Sequence, residues 1–495
     1  MIINSRLIDF KRELRELISF NEASVIEFEL LFSALLDVNY LNNTSSILAW
    51  LKEINQKQYF HVEEIPFNKL NQWFFDANTG DLKHNSGKFF SIRGLQVFNN
   101  QTDEILWDQP VIDQPEIGVL GLLCKPISGV LHFLMQAKAE PGNLNTYQLS
   151  PTVQATRSNY LQVHGGKRTK YIEYFDGSAN VEVLFDQYQS EQGARFTGKR
   201  NRNLIVLVDK KHEVSSDENF KWLTLGQIKA LMEHDNTVNM DSRSIISQIQ
   251  YSGLNLSANR EELITLIDNY RDISKRSRLW IEAIADLIST KIDDENLVST
   301  QNKLTCERYF CPKQSRLIAL NDVKDWNVKN TIIEHKANKY FQVLAVKISA
   351  DNREVVHWDQ PIIKQRSEGI VGILVSKVNE KIHILIHLKY EPGLYDSIEI
   401  APTVQCIVNN YNISELPPYV DYFKEDAGSY IYNSRQSEEG GRFYQECSAN
   451  IIREVKQNDI TLYPGYMWIS VSNLKKIVKF QQNINVELRR LLAYF

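Results

Sequence analysis

Apolar residues at a 3.6-residue period open the chain. Ile8, Leu14, Leu17 and Ile18 fall on one helical face and Ser45–Trp50 begins a second such stretch, so residues 5–57 read as helical. From about Phe60 to Val208 the pattern changes to short apolar runs broken by Gly, Pro and Asn, as strands and turns require. Val119–Cys124 and Leu131–Lys138 are the clearest strands. Helical spacing returns at Thr224–Met232, where Thr224 suits the N-cap, and persists to about Lys291 with Glu262–Leu287 as its strongest segment. A second strand-rich region runs from about Tyr340 to Val455, and Ser472–Leu492 is helical again. Strand-rich modules flanked by helices predict an α+β fold with mixed or antiparallel sheets.

The second strand-rich region copies the first. Trp107–Tyr160 returns as Trp358–Tyr411 without a gap, with 21 of 54 positions identical. Shared motifs are W-D-Q-P at Trp107 and Trp358, K-x-E-P-G at Lys138 and Lys389, and P-T-V-Q at Pro151 and Pro402. Farther on, Gln189–Gly193 with Arg195 and Phe196 returns as Gln436–Gly440 with Arg442 and Phe443. Trp73 pairs with Trp326, and Trp222 with Trp468. A solenoid unit spans only about 20 to 50 residues, so this period marks two fused copies of one domain, divided as 1–248 and 249–495.

Composition narrows the class. Apolar and charged fractions of 43% and 24% are ordinary for a globular protein. A net charge of −5 gives no electrostatic case for nucleic acid or an anionic membrane as partner. Five scattered cysteines without metal spacing read as reduced thiols of a cytoplasmic protein. Arg6, Asp9, Lys11 and Arg12 interrupt the N-terminus, which is therefore not read as a signal peptide, and no apolar run reaches the roughly 20 residues of a membrane span. G-x-G-x-x-G, P-loop, H-E-x-x-H, paired C-x-x-C and G-x-S-x-G motifs are all missing, so neither a metal nor a cofactor is expected.

Candidate chemistry begins at Leu131–Glu140. Alternation puts Gln136, Lys138 and Glu140 on one strand face and Phe133, Met135 and Ala137 on the other. An amine and a carboxylate so placed suit acid–base work; the competing reading is an exposed, salt-bridged face. Leu149–Tyr160 (Gln154, Thr156, Arg157, Ser158, Asn159, Tyr160) is dense in hydrogen-bonding groups, and His164 follows in a Gly loop beside Lys167. Ser190, Glu191, Arg195 and the K-R-N-R-N run (Lys199, Arg200, Arg202, Asn203) add cations suited to a diphosphate, or else form a solvated edge strand. Trp73, Trp107, Trp326 and Trp358 can stack a base or sugar or fill core. These residues together predict a polar, anionic ligand.

The series F-D-A-N-T-G, W-D-Q-P, Q-A-K-x-E-P-G-N, L-S-P-T-V-Q-A-T-R-S-N-Y, H-G-G, Q-S-E-Q-G and K-R-N-R-N resembles the nucleoside-diphosphate-hexose 2,3-dehydratases over nearly the whole chain, duplication included. The resemblance implies two Nudix-like modules without the glutamate signature of Nudix hydrolases, a homodimer, and elimination of the C2 hydroxyl from a dTDP-4-keto-6-deoxyhexose in deoxysugar biosynthesis. The reactive diketo product further implies functional coupling to a 3-ketoreductase. Carried over by position, the first copy is the catalytic half: Glu140, Glu191 or His164 as base, Tyr160 as acid, and Lys138 at O4. Gln154, Thr156–Tyr160, Ser190, Arg195, Lys199, Arg200, Arg202 and Asn203 would hold nucleotide and diphosphate, with Trp73 or Trp107 stacking. The second copy lacks the His-Gly-Gly and has Ile407, Val408 and Asn409 in place of Thr156, Arg157 and Ser158. It keeps Trp326, Gln405, Asn410, Tyr411, Ser437, Glu438, Glu439, Gly440 and Arg442, a candidate second nucleotide site. Rival readings are a sugar-nucleotide-binding protein without activity and a keto-sugar isomerase.

Overall fold

A computed structural model describes the chain except at residues 1, 40, 162–166, 216, 289–293, 352, 354 and 425–429; at 2–4, 294 and 295 only the backbone is described. The helical start consists of Ile2–Leu17, Val25–Leu35 and Thr44–Lys57. Thr224 caps the helix Leu225–Leu231, accepting from the Gln227 amide while the Gln227 side chain accepts in return.

The stretch Glu262–Leu287, expected as one helix, is two: Arg260–Asn269 and Arg278–Ile288. Asp37 occupies the break. Its carboxylate accepts from the Lys275 amide and pairs with Arg276, and its own amide donates to Ile273 O. This buried ion pair holds open a turn that local periodicity would have closed. Ser472–Leu492 is also split, into Val471–Ile477 and Val486–Leu492, because the turn between them bonds the strand Ile398–Ala401. The second strand region begins before Tyr340, with Lys313–Ile318, Trp326–Val328 and Ile333–His335.

Both halves build the same mixed sheet. In the first, Glu182–Ser190, Arg200–Leu207, Val119–Ile127, Val130–Ala139 and Phe220–Leu223 lie side by side in that order. The second repeats it with Tyr432–Ser437, Cys447–Glu454, Gly369–Val378, Lys381–Tyr390 and Tyr466–Ser470. The pairs Val119–Ile127 with Arg200–Leu207, and Gly369–Val378 with Cys447–Glu454, are parallel.

Each half also has a smaller sheet, and here they exchange strands. Phe60–Ile65 pairs with Phe341–Ala350 of the second half, while Lys313–Ile318 pairs with Ser91–Asn99 of the first. The lent strands are largely polar and exposed, so their hydrogen-bonding partners rather than their own periodicity make them strands. One continuous apolar core joins both large sheets to the helices: Phe133, Leu149 and Leu225 share it with Ile384, Ile400 and Leu488.

Candidate active site

A cavity of about 600 Å³ opens where the two halves meet. The first half contributes Trp73, Lys138, Glu140, Gln154, Thr156, Asn159, Lys199, Asn201 and Asp241. The second contributes Arg353, Trp358, Asp359, Gln360, Glu439, Gly441 and Arg442.

Strand alternation aims Lys138 and Glu140 at this space, and both are buried. Their charged groups lie 3.9 Å apart, so the exposed-face reading fails. Lys138 Nζ donates to Gln154 O at 2.7 Å. Gln154 Nε2 donates to Glu140 Oε1 at 2.8 Å, and Asn239 Nδ2 donates to Gln154 Oε1 at 3.0 Å. This Asn–Gln–Glu relay fixes the direction of the Glu140 carboxylate. It recurs as Asn485–Gln405–Glu391, with 2.8 and 2.9 Å contacts.

The Q-S-E-x-G segments cross between halves. Gly142 of the first K-x-E-P-G turn donates to Gly440 O at 2.7 Å and accepts from the Gln445 amide at 2.7 Å. Gly393 of the second turn donates to Gly193 O at 2.7 Å and accepts from the Gly198 amide at 2.8 Å. A Cβ at Gly142 or Gly393 would stand 1.6 Å from Phe443 O or Phe196 O, which is why both turns carry glycine. Glu439 and Arg442, expected in a separate second nucleotide site, therefore line the cavity of Lys138 and Glu140. Arg442 stacks over Phe90 and donates to Gln114 Oε1. Arg195 is exchanged the other way and stacks over Phe341, outside this cavity.

Burial shapes the titration here. Lys199, enclosed beneath the cavity and donating to Glu116 O, is brought down to about 8 by desolvation, against the pull of Glu191. Glu439 is half-buried with its carboxyl enclosed by protein, and desolvation lifts it to about 7 against the pull of Arg442. Asp241 is also raised, by burial and then by the neighbouring charges of Glu439, Glu191 and Glu140. The cavity thus places a Lys–carboxylate pair beside two carboxyls, Glu439 and Asp241, whose burial favours the protonated form, a combination suited to moving protons in both directions.

Other expected residues fall outside the cavity. Glu191 is buried behind it, accepting from Asn201 Nδ2 at 2.7 Å. Tyr160 packs on the apolar cluster of Tyr171 and Phe175. Arg157 is exposed, and Ser158 donates to Glu116. Ser190 donates to Glu399 at 2.7 Å. In the K-R-N-R-N run Arg200 stacks on Tyr188 and Tyr395, Arg202 pairs with Asp186, and Asn203 accepts from Gln248, so these three do not form a diphosphate clamp at this cavity. Strand alternation turns Arg200 and Arg202 to the face opposite Asn201. Trp107 stands against Tyr390 of the second half; its counterpart Trp358 takes the place at the cavity. His164 lies outside the described residues.

Among the other second-copy candidates, Trp326 donates to Asp108 O, Asn410 accepts from the Tyr340 amide and Tyr411 is exposed. Ser437 accepts from Gln148, Glu438 pairs with buried Arg490, and Gly440 packs on Asn143 and Glu140. Among the described residues no group of His, Cys, Asp and Glu is arranged to hold a metal ion, and no helix is long and apolar enough to cross a membrane.

Sequence reasoning missed Asn239, Asp241, Arg353, Asp359, Gln360 and Gly441. Asn239 and Asp241 carried a signal: N-M-D-S-R repeats as N-V-E-L-R at Asn485, in step with Trp222 and Trp468.

Comparison with known proteins completes the description. A curated protein from Saccharopolyspora spinosa, named dTDP-4-dehydro-6-deoxy-alpha-D-glucopyranose 2,3-dehydratase, is 40% identical over 466 residues, covering 93% of each chain. Proteins of the same name from Amycolatopsis orientalis and Streptomyces violaceoruber are 40% and 33% identical, over 91% and 92% of this chain and 89% and 97% of theirs. The model of the NDP-hexose 2,3-dehydratase family matches twice, at residues 44–249 and 299–495. With both halves matched and relatives aligned nearly end to end, the chain belongs to the NDP-hexose 2,3-dehydratase family.

Proposed function

We propose that the protein eliminates water from dTDP-4-keto-6-deoxyglucose, giving dTDP-3,4-diketo-2,6-dideoxyglucose for deoxysugar biosynthesis. The observation that carries this reading is the buried Lys138–Glu140 pair facing a cavity, in a chain 40% identical to proteins named for the reaction. The C4 ketone acidifies the C3 proton. Glu140 removes it, and Lys138 stabilises the charge that develops on O4. The C2 hydroxyl leaves as water, and the enol at C3 tautomerises with a solvent proton taken up at C2. No net oxidation occurs, so these steps call for no redox cofactor.

Trp73 and Trp358 are read as walls for the sugar nucleotide, with Thr156, Asn159 and Arg353 as polar contacts. Each half, 1–248 and 249–495, is read as one Nudix-like module, and the protein as a cytoplasmic homodimer whose diketo product passes to a 3-ketoreductase.

The test is incubation with dTDP-4-keto-6-deoxyglucose in deuterium oxide, followed by mass spectrometry and NMR. Loss of one water with deuterium gained at C2 is expected. Intact substrate alongside dTDP binding would refute the reaction. With Glu140→Gln, turnover should be abolished and dTDP affinity kept; near-wild-type turnover would remove Glu140 as base.

A further inference from the structure

The elimination needs an acid as well as a base, and Tyr160 does not line the cavity. Three carboxyls besides Glu140 do. Asp359 is engaged by Asn71, whose amide and side chain both donate to its carboxylate, which leaves Asp241, on the helix Met240–Ile246, and Glu439, delivered by the second half. Glu439 and Glu140 converge on Gly441. A Cβ there would stand 2.9 Å from Glu439 Oε1 and 3.7 Å from Glu140 Oε1. The two oxygens thus flank one small space, bare because residue 441 has no side chain.

The internal repeat separates the two candidates. Asp241 corresponds to Glu487, so both copies keep a carboxyl at that place. Glu439 corresponds to Gln192, which carries no titratable proton and donates to Glu438 at 2.8 Å. Lys199 likewise corresponds to Glu446. The Asn–Gln–Glu relay and the Lys–Glu pair are common to both halves, whereas the Glu439–Lys199 combination belongs to this cavity alone.

We propose that Glu439, a residue of the second half, is the catalytic acid that protonates the departing C2 hydroxyl in the cavity of the first half's Glu140. Resting on the dehydratase reading, the proposal divides the reaction between the copies. Glu140 takes the C3 proton, and the C–H pair forms the C3–C4 enolate. The enolate then restores the C4 carbonyl, its electrons form the C2–C3 double bond, and the C2–O bond breaks as oxygen receives the Glu439 proton. Water leaves, Glu439 becomes a carboxylate and Glu140 a carboxylic acid, and solvent returns the proton from one to the other. Burial suits Glu439 to the part, since it keeps the carboxyl protonated up to about pH 7.

The experiment compares wild type, Glu439→Gln and Glu140→Gln in deuterium oxide, following C3 hydrogen exchange and water loss separately. Glu439→Gln should retain C3 exchange while water loss falls by about 10²- to 10³-fold; Glu140→Gln should lose both. Retained C3 exchange also shows that the variant is folded and binds substrate. A 2-fluoro substrate, whose leaving group needs no proton, should release fluoride from Glu439→Gln at close to the wild-type rate. Water loss within threefold of wild type, or loss of C3 exchange and fluoride release together in a folded variant, would overturn the assignment. Should Glu439→Gln not fold, Glu439→Asp takes its place: water loss reduced more than exchange supports the role, and equal reduction refutes it. Failure of wild type to lose water would instead overturn the dehydratase reading itself.

Discussion

Replacing Gly142 with Ala probes the clasp between the halves. The new methyl would lie 1.6 Å from Phe443 O, where ordinary contacts begin near 3.4 Å, so the two segments must part by well over an ångström. That movement breaks two backbone bonds of 2.7 Å, Gly142 to Gly440 and Gln445 to Gly142. At about 1 kcal/mol net for each bond, and about 1 kcal/mol more for each of the one to three groups that find no new partner, the loss is about 3 to 5 kcal/mol. The same movement separates Glu140 from Glu439, and a displacement of about 1 Å at a reacting centre costs about 100-fold in kcat. Gly393→Ala is the matched control, with the same 1.6 Å clash at Phe196 O in the other turn. Urea unfolding and steady-state kinetics on both variants are the assay. Both should lose similar stability, but kcat should fall much further in Gly142→Ala. Equal kcat losses, or an unchanged urea midpoint for Gly142→Ala, would refute the coupling between clasp and cavity.

Other expectations follow from the same geometry. Glu439 sits at about 7 against an ordinary 4.5, so between these values the folded protein holds a proton that the unfolded chain has released. Its contribution to stability is full below pH 4.5 and is lost as pH rises toward 7; Glu439→Gln should flatten this part of the urea-midpoint profile, and an unchanged slope would refute it. Trp358→Ala, at the cavity wall, should raise KM about tenfold, the equivalent of about 1.4 kcal/mol, while Trp107→Ala leaves it within about twofold; isothermal titration with dTDP checks the same ranking. Thr224→Ala removes a helix cap and the Thr224 Oγ1 bond to Leu36 O, costing about 1 to 2 kcal/mol in urea unfolding, with Thr224→Ser restoring most of it.

Much of this molecule is legible from the chain. The repeat predicts that the halves share an architecture, and their large sheets have the same strand order. Alternation along Leu131–Glu140 places Lys138 and Glu140 on one face because successive strand residues point to opposite sides. Thr224 marks its helix start because the hydroxyl and the Gln227 side chain satisfy each other's amides within four residues. Local pattern misses the helix break at 270–277, where the decisive group is Asp37, distant in sequence.

The sequence by itself determined the repeated unit, the residue types for acid–base chemistry and the family. Only the tertiary structure decided which of those residues meet. Glu439 and Arg442 join Lys138 and Glu140 because Gly142 and Gly440 bond across the halves, and the mirror exchange carries Arg195 away. No local periodicity encodes that crossing. It is set by backbone hydrogen bonds and close glycine contacts between segments from opposite halves of the chain, which exist only once both copies have folded against one another.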